Sequence, residues 1–365
     1  MKKIAIVTLN HGINYGNKLQ NYAVQVIYEK LGYEAETIRF YPQGLKVNEK
    51  SKKTFCLLLK KLKRHYLSYK FSSIQKRRQD SFSAFDRQYL KMTKTCYTPM
   101  TYHNINEQDY DFFAVGSDQV WNSYFFDFTP MYLLDFVKTD CKKISYAASF
   151  GVQEIAPEYH RLFKTQLSKF QAISVRETSA ADMVFELCKK RAEVVIDPTL
   201  MLDANDWMAL IDDIDWQVPK RYVLTYFLGE LSSDNRKQIT RYAREHECEI
   251  IELNQLKNDY YAVDPREFVF LIYKAFMVFT DSFHACCFSL QFEKPFWVLS
   301  RKSEGKIMQS RIDTFLQLFE LEQRKFAQSV NLDQEIDYSH SEKILRKERK
   351  KGIRFLTNAF MGEEI

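Results

Sequence analysis

Ile4-Ala5-Ile6-Val7-Thr8-Leu9 runs directly into Asn10-His11-Gly12-Ile13-Asn14-Tyr15-Gly16-Asn17, and a helical pattern follows to Leu31. The apolar run holds six residues. A secretory core needs roughly 7–15 apolar residues and a small-residue cleavage site, so the run reads as a buried first strand. From Asn17 onward, Ala23, Val26, Ile27 and Leu31 fall at core spacing for a helix, with Asn17 as its cap and Gly32 as its C′ stop. Glu36–Phe40 supplies the next strand. Strand, helix and strand in this order are the opening of a parallel α/β sheet.

The same alternation continues along the chain. Strands are expected at Phe112–Val115, Ile144–Ala148, Ile173–Val175 and Glu193–Ile196, the last ended by Asp197-Pro198. A second α/β run begins near 220, with strands at Tyr222–Leu228, Glu249–Leu253, Met277–Thr280 and Pro295–Leu299 and helices at 234–246, 265–275 and 284–292. A long basic-faced helix, 341–360, closes the chain. The expected division is an N-terminal α/β domain over 1–205, a C-terminal α/β domain over 206–340 and a C-terminal helix within 341–365. Asp203, Asp206, Asp212, Asp213, Asp215 and Pro219 mark the joint. The fold class is α/β: two Rossmann-like domains in a glycosyltransferase-B-like arrangement, with ligands between strand ends.

Composition narrows the function. The 365 residues suffice for two cores, and 45% hydrophobic with 27% charged residues is ordinary for a globular chain. No stretch approaches the ~20 apolar residues of a membrane span. The seven cysteines are scattered and lack a CxxC pair, which points to free thiols in a reducing, cytoplasmic setting and against structural zinc. The net charge of +6 is uneven: residues 46–94 hold 15 Lys/Arg against three Asp/Glu, so the remainder is net acidic. That excludes a basic nucleic-acid-binding body. Leu58, Leu59, Leu62 and Tyr66 recur at helical spacing among lysines, so 46–94 reads as a basic helical insertion. It would be a solvated arm, a dimer contact or a contact with anionic membrane.

Four strand-to-helix junctions carry polar residues. The first, Asn10–Asn17, opens onto a helix N-terminus, a position that favours anions; it also serves as a turn and cap. It is not GxGxxG, so no dinucleotide site is indicated. The second is Gly116-Ser117-Asp118-Gln119-Val120-Trp121-Asn122. There, Asp and Asn could grip sugar hydroxyls and Trp could stack on a sugar face, or the run could simply start a helix over a partly buried Trp. The third is Ser174-Val175-Arg176-Glu177, where Arg176 could fork a carboxylate or phosphate or pair with a neighbouring acid. The fourth is Thr280-Asp281-Ser282-Phe283-His284. His284 beside Asp281 could serve as acid, base or anion ligand, or be structural.

Asn14–Gln20 with Tyr22-Ala23, Gly116–Asn122, Ser174–Glu177, Val195–Leu202, Thr280–His284 and Lys294–Phe296, together with Ser310-Arg311-Ile312 and Leu321–Arg324, resemble the polysaccharide pyruvyl transferase family from about residue 3 to 360, apart from 46–94. The resemblance implies an enzyme that places a pyruvate ketal from phosphoenolpyruvate across two hydroxyls of a sugar. That sugar belongs to a surface polysaccharide or its lipid-linked precursor. Phosphoenolpyruvate is a co-substrate, and neither cofactor nor metal is implied. Carried over, His284 and Asp281 are the catalytic candidates. Arg176, His284, Arg311 and Ser282 would face the donor, and Asn14, Asn17, Asp118, Gln119, Trp121 and Asn122 the acceptor. Ser282 stands where better-known members carry arginine, so another cation, such as Arg311, Lys302 or one from the insertion, must replace it or the donor differs. The alternatives are a nucleotide-sugar glycosyltransferase on the same architecture and a non-catalytic protein that docks on a membrane or an assembly.

Overall fold

The computed structural model describes residues 1–42, 71–125, 128–300, 309–327 and 330–362. The first sheet has seven parallel strands: β1 (Lys3–Val7), β2 (Glu34–Phe40), β3 (Met92–Tyr97), β4 (Phe112–Val115), β5 (Lys143–Ala148), β6 (Ala172–Val175) and β7 (Glu193–Val194). Their spatial order is β3-β2-β1-β4-β5-β6-β7. Helices cover both faces: α1 (Tyr15–Lys30), α2 (Ser72–Tyr89), α3 (His160–Leu167), α4 (Thr178–Cys188), α5 (Pro198–Met201) and α6 (Ala204–Ile211). Ile4, Ile6 and Phe112 belong to one core and Ala5, Val7 and Phe113 to another, on opposite sides of the sheet. Burial on both faces is why these strands are continuously apolar rather than alternating.

The second sheet has four parallel strands in the order β11-β10-β8-β9, formed by β8 (Tyr222–Tyr226), β9 (Glu249–Glu252), β10 (Met277–Thr280) and β11 (Phe296–Val298). Its helices are α7 (Ser233–Glu245), α8 (Pro265–Lys274), α9 (Phe283–Gln291) and α10 (Gln309–Leu318). Chain order reverses between β1 and β4 in one sheet and between β8 and β10 in the other. Loops leaving adjacent strands in opposite directions open a crevice at such a switch point. Here the two crevices share one cleft, which is the glycosyltransferase-B-like arrangement.

The last helix, α11 (Tyr338–Met361), returns to the first sheet. Phe360 packs on Tyr28 and Phe112, with ring centroids 5.4 and 5.1 Å away. Arg349 donates to the carbonyls of Leu200 and Leu202 at 2.7 and 2.8 Å, and Lys351 to that of Val194 at 2.5 Å.

Residues 92–94, read as the end of a basic insertion, are instead the start of edge strand β3, and the insertion's Ser72–Tyr89 is α2. The helical reading over 58–66 lies outside the described residues. Helix α2 ties the two sheets' domains together. Phe82 and Phe85 are buried, Asp86 takes the Lys18 ammonium at 2.6 Å, and Arg78 donates to the Tyr261 carbonyl at 2.9 Å. This half of the basic segment therefore meets protein on its apolar face. Asn14, not Asn17, caps α1: its side chain accepts from the Asn17 amide at 3.2 Å. Gly32 has φ +86° and ends that helix as expected. No helix among the described residues is long and apolar enough to cross a membrane.

Candidate active site

Three residues at strand ends and one on a helix meet between the sheets. Asp118 follows β4, Arg176 follows β6, Asp197 follows β7, and Arg311 stands on α10. Arg176 Nη1 donates to Asp197 Oδ2 at 2.5 Å, and its Nη2 lies 3.4 Å from Asp118 Oδ1. The same Asp118 oxygen takes Arg311 Nη1 at 3.2 Å. All four side chains are buried. The Phe283 ring lies 4.8 Å from the Arg176 guanidinium and 5.9 Å from that of Arg311, close enough for cation–π attraction. Arg176 Nε has no partner in the fold, so one donor of this fork is left over.

Local chemistry fixes these positions. After β4 the chain passes close to β5: a Cβ on Gly116 would stand 2.1 Å from the Tyr146 carbonyl oxygen, and Gly116 has φ +125°. Only glycine meets both conditions. Asp197 caps α5, accepting from Thr199 N at 2.9 Å and Thr199 Oγ1 at 2.7 Å, and also takes the Ser117 hydroxyl at 3.1 Å. Gln20 clips the loops after β1 and β4 together through Thr8 Oγ1 at 3.0 Å and the Ser117 amide at 3.2 Å.

His284 is in the first turn of α9, with Nε2 buried, 3.8 Å from Asp197 Oδ2 and lacking a hydrogen-bond partner. Its ring lies against Gly16 at the start of α1. The cleft of about 160 Å³ at this point is lined by Asn14, the cap of α1, and Asn17, by Ser282, the cap of α9, and His284, and by Gln119, Arg311, Asp118 and Asp281. Two helix N-termini thus point at one space, and the partial positive charge of each favours an anion there.

Burial by itself would raise the Asp118 and Asp197 carboxyls. The guanidiniums outweigh it for Asp118, which lies below the usual range. Asp197 is held at about 2 by His284, Arg176 and Thr199. Burial lowers His284 despite Asp197 and Asp118, which favours the neutral imidazole. Burial raises Glu177, whose Oε1 takes the Ser149 hydroxyl.

These shifts fix a sign. The unfolded chain binds a proton on His284 below pH ~6.5 and on Asp197 below ~4, where the folded chain does not. Each group therefore contributes stability that is complete above its unfolded value and lost as pH falls through its folded value. The urea midpoint should fall from pH 6.5 downward and again below pH 4, and His284→Asn should flatten the upper drop. A wild-type midpoint constant from pH 7 to 5 would contradict the neutral buried imidazole.

Several sequence expectations are corrected. Trp121 is fully buried, donates Nε1 to the Tyr132 carbonyl at 2.9 Å and packs on Phe150 and Phe170; it presents no face to a sugar. Asp281 takes the amides of Leu228 and Gly229 on its two oxygens at 2.7 and 2.8 Å, so it latches the loop after β8 at the edge of the cleft. Asp118 holds two arginines at the cleft wall. Asn122 is buried, 2.9 Å from Gln119 and accepting from the Tyr124 amide at 3.1 Å. Ser282 is the α9 cap, accepting from Ala285 N at 3.5 Å. Lys302 lies outside the described residues. Sequence reasoning missed Asp197, Gln20, Gly16 and Glu177. The signal for Asp197 was present, since an aspartate at a strand's C-terminal end faces a crevice whether or not proline follows.

Among the described residues no group of three or more His, Cys, Asp or Glu could hold a metal ion, and the six described cysteines are free.

Fold and cleft define a glycosyltransferase-B-like α/β protein with a buried guanidinium–carboxylate–imidazole cluster where its domains meet. The family model for polysaccharide pyruvyl transferases matches residues 14–303, and the chain belongs to that family, one of transferases. No curated protein matches the sequence. Among solved structures, the chain resembles UDP-GlcNAc 2-epimerase from Neisseria meningitidis bound to UDP-GlcNAc (TM-score 0.48, 11% identity, covering 99% of this chain and 100% of that one). It also resembles the UDP-GlcNAc 2-epimerase of Methanocaldococcus jannaschii (0.46, 11%, 95% and 99%) and the E. coli ADP-heptose lps heptosyltransferase II (0.38, 7%, 99% and 99%).

Proposed function

We propose that this protein is a cytoplasmic pyruvyl transferase that uses phosphoenolpyruvate to build a ketal on a sugar of a surface polysaccharide or its lipid-linked precursor. The observation that carries the reading is a cleft faced by two helix N-termini and lined by Arg311 and His284, with Arg176 behind it on the Asp118 carboxylate that it shares with Arg311. A donor bearing both phosphate and carboxylate needs such a concentration of N–H groups. Arg311 lines the same cleft as Ser282 and supplies the cation that serine cannot. Asp118 and Asp197 hold the two forks in place before substrate arrives, so little ordering is left for binding.

The reaction then runs as follows. A proton adds to the methylene carbon of the enol phosphate, and the central carbon becomes oxocarbenium-like. A sugar hydroxyl oxygen bonds to that carbon, the bond to the phosphate oxygen breaks, and the second hydroxyl closes the ketal. Of the two hydroxyl protons released, one balances the proton now in the methyl group and the other leaves with phosphate. Neutral His284, with Nε2 unpartnered, is the group placed to relay a proton or donate to the phosphate.

Calorimetry tests the donor. Wild-type protein should bind phosphoenolpyruvate, and Arg311→Ala should weaken binding about 10–100-fold, the worth of one charge-assisted contact. Wild-type protein that takes up none at millimolar concentration would sink the reading.

A further inference from the structure

Most of the residues expected to hold the acceptor are engaged with the arginine cluster or buried behind it. A larger cavity of about 840 Å³ opens beside the donor cleft, within the ~300–1,000 Å³ typical of small-molecule sites. Leu228 lines both spaces, and Ile13 of the larger one directly precedes Asn14 of the smaller. The cavity lies over the loops after β8 and β9, roofed by Arg78 of α2.

Arg78 is 5% exposed, and no carboxylate pairs with it among the described residues. Its Nη1 donates to the Tyr261 carbonyl at 2.9 Å and lies 3.4 Å from Asn254 Oδ1, while Nε has no partner. The rings of Tyr261 and Tyr15 lie 4.6 and 5.0 Å from the guanidinium. Burying a cation without a carboxylate is costly, and an unmet buried N–H adds to that cost. Across the cavity stand Glu252, paired with Arg236, together with Glu230, Gln255 and the Phe227 ring. Glu230 and Glu252 are matched by Arg78 and Arg236 in the lining, so no net charge selects an ion, and four charged groups disfavour a purely apolar guest. Donors, acceptors and aromatic faces interleaved in this way suit a neutral hexose ring.

We propose that this cavity is the sugar-acceptor site, with Arg78, Glu230, Glu252 and Gln255 reading hydroxyls. Its role as acceptor site rests on the pyruvyl-transfer reading; its affinity for a hexose does not. Saturation-transfer NMR on the full chain, with methyl glucosides, galactosides and mannosides at millimolar concentration and no phosphoenolpyruvate, tests it. At least one hexoside should bind wild type. The double variant Glu230→Gln/Gln255→Ala, changed only at exposed side chains, should bind it about tenfold more weakly, the worth of one or two such contacts. Arg78→Lys should weaken it too. If turnover is measurable, KM for the hexoside should rise while KM for phosphoenolpyruvate stays constant. Binding of no hexoside, equal binding by the double variant, or displacement of the hexoside by UDP alone would each overturn the proposal. Calorimetry with phosphoenolpyruvate on the same proteins separates the two readings. Hexoside binding without phosphoenolpyruvate binding sinks pyruvyl transfer and leaves the sugar site, and the reverse sinks the sugar site alone.

Discussion

Replacing Asp197 with asparagine should lower folding stability by about 3–5 kcal/mol, the cost of stripping a buried charge of its partner. Urea denaturation at pH 7 reads the loss. The side chain of Asp197 is fully enclosed and that of Arg176 is 4% exposed, with 2.5 Å between them. Asparagine keeps an oxygen for the Thr199 amide and hydroxyl, so the α5 cap survives. What changes is the atom facing Arg176 and the Ser117 hydroxyl: an acceptor becomes a donor. Arg176 is then left with Asp118, at 3.4 Å and already shared with Arg311. The control is Asp259→Asn. Its partner Arg77 is 3.1 Å away, but the side chains are 61% and 83% exposed, so the loss should be under about 1 kcal/mol. Equal losses in the two variants would mean that the cluster does not depend on the Asp197 charge.

That cluster also shows how far the sequence could be read. Asp118, Arg176 and His284 were legible, because a continuously apolar run stopping at a polar residue locates the edge of a parallel sheet; Asp197 carries the same signal but reads first as a strand stop before proline. Phe112–Val115 and Met277–Thr280 were placed to the residue for this reason. Pairing was not legible. Arg176 meets Asp197 and Asp118, which are 21 and 58 positions away in the chain, and nothing local in either segment encodes the choice. Trp121 misled because a tryptophan after a polar strand end looks the same whether its indole reaches a ligand or a backbone carbonyl. β3 was missed for a different reason. It is an edge strand in which Thr93 is the one buried residue, so Met-Thr-Lys-Thr-Cys-Tyr lacks the apolar run that betrayed the central strands. Its basic neighbours then pulled the reading toward helix.

The largest expected effect on activity comes from Gly16→Ala, a single methyl on the opposite domain from the histidine it would displace. A Cβ at this position would lie 2.0 Å from His284 Nδ1, 2.4 Å from Cε1 and 2.7 Å from Cγ. No real contact is that short, so the ring must leave. If His284 handles a proton in the reaction, turnover should fall about 10²–10⁴-fold, as on losing a general acid or base, and His284→Ala should fall to the same level. Stability separates displacement from mere damage. In wild type the added methyl overpacks the interface, at about 1–3 kcal/mol. In the His284→Ala background the ring is gone, and alanine in place of a helical glycine should stabilise by about 0.5–1 kcal/mol. The sign of one substitution therefore reverses with the presence of one ring across the cleft, and the double variant should be no less active than either single one. A Gly16→Ala protein with wild-type turnover would show that the cleft can spare this contact, and with it the placement of His284 from which the proton-transfer role was argued.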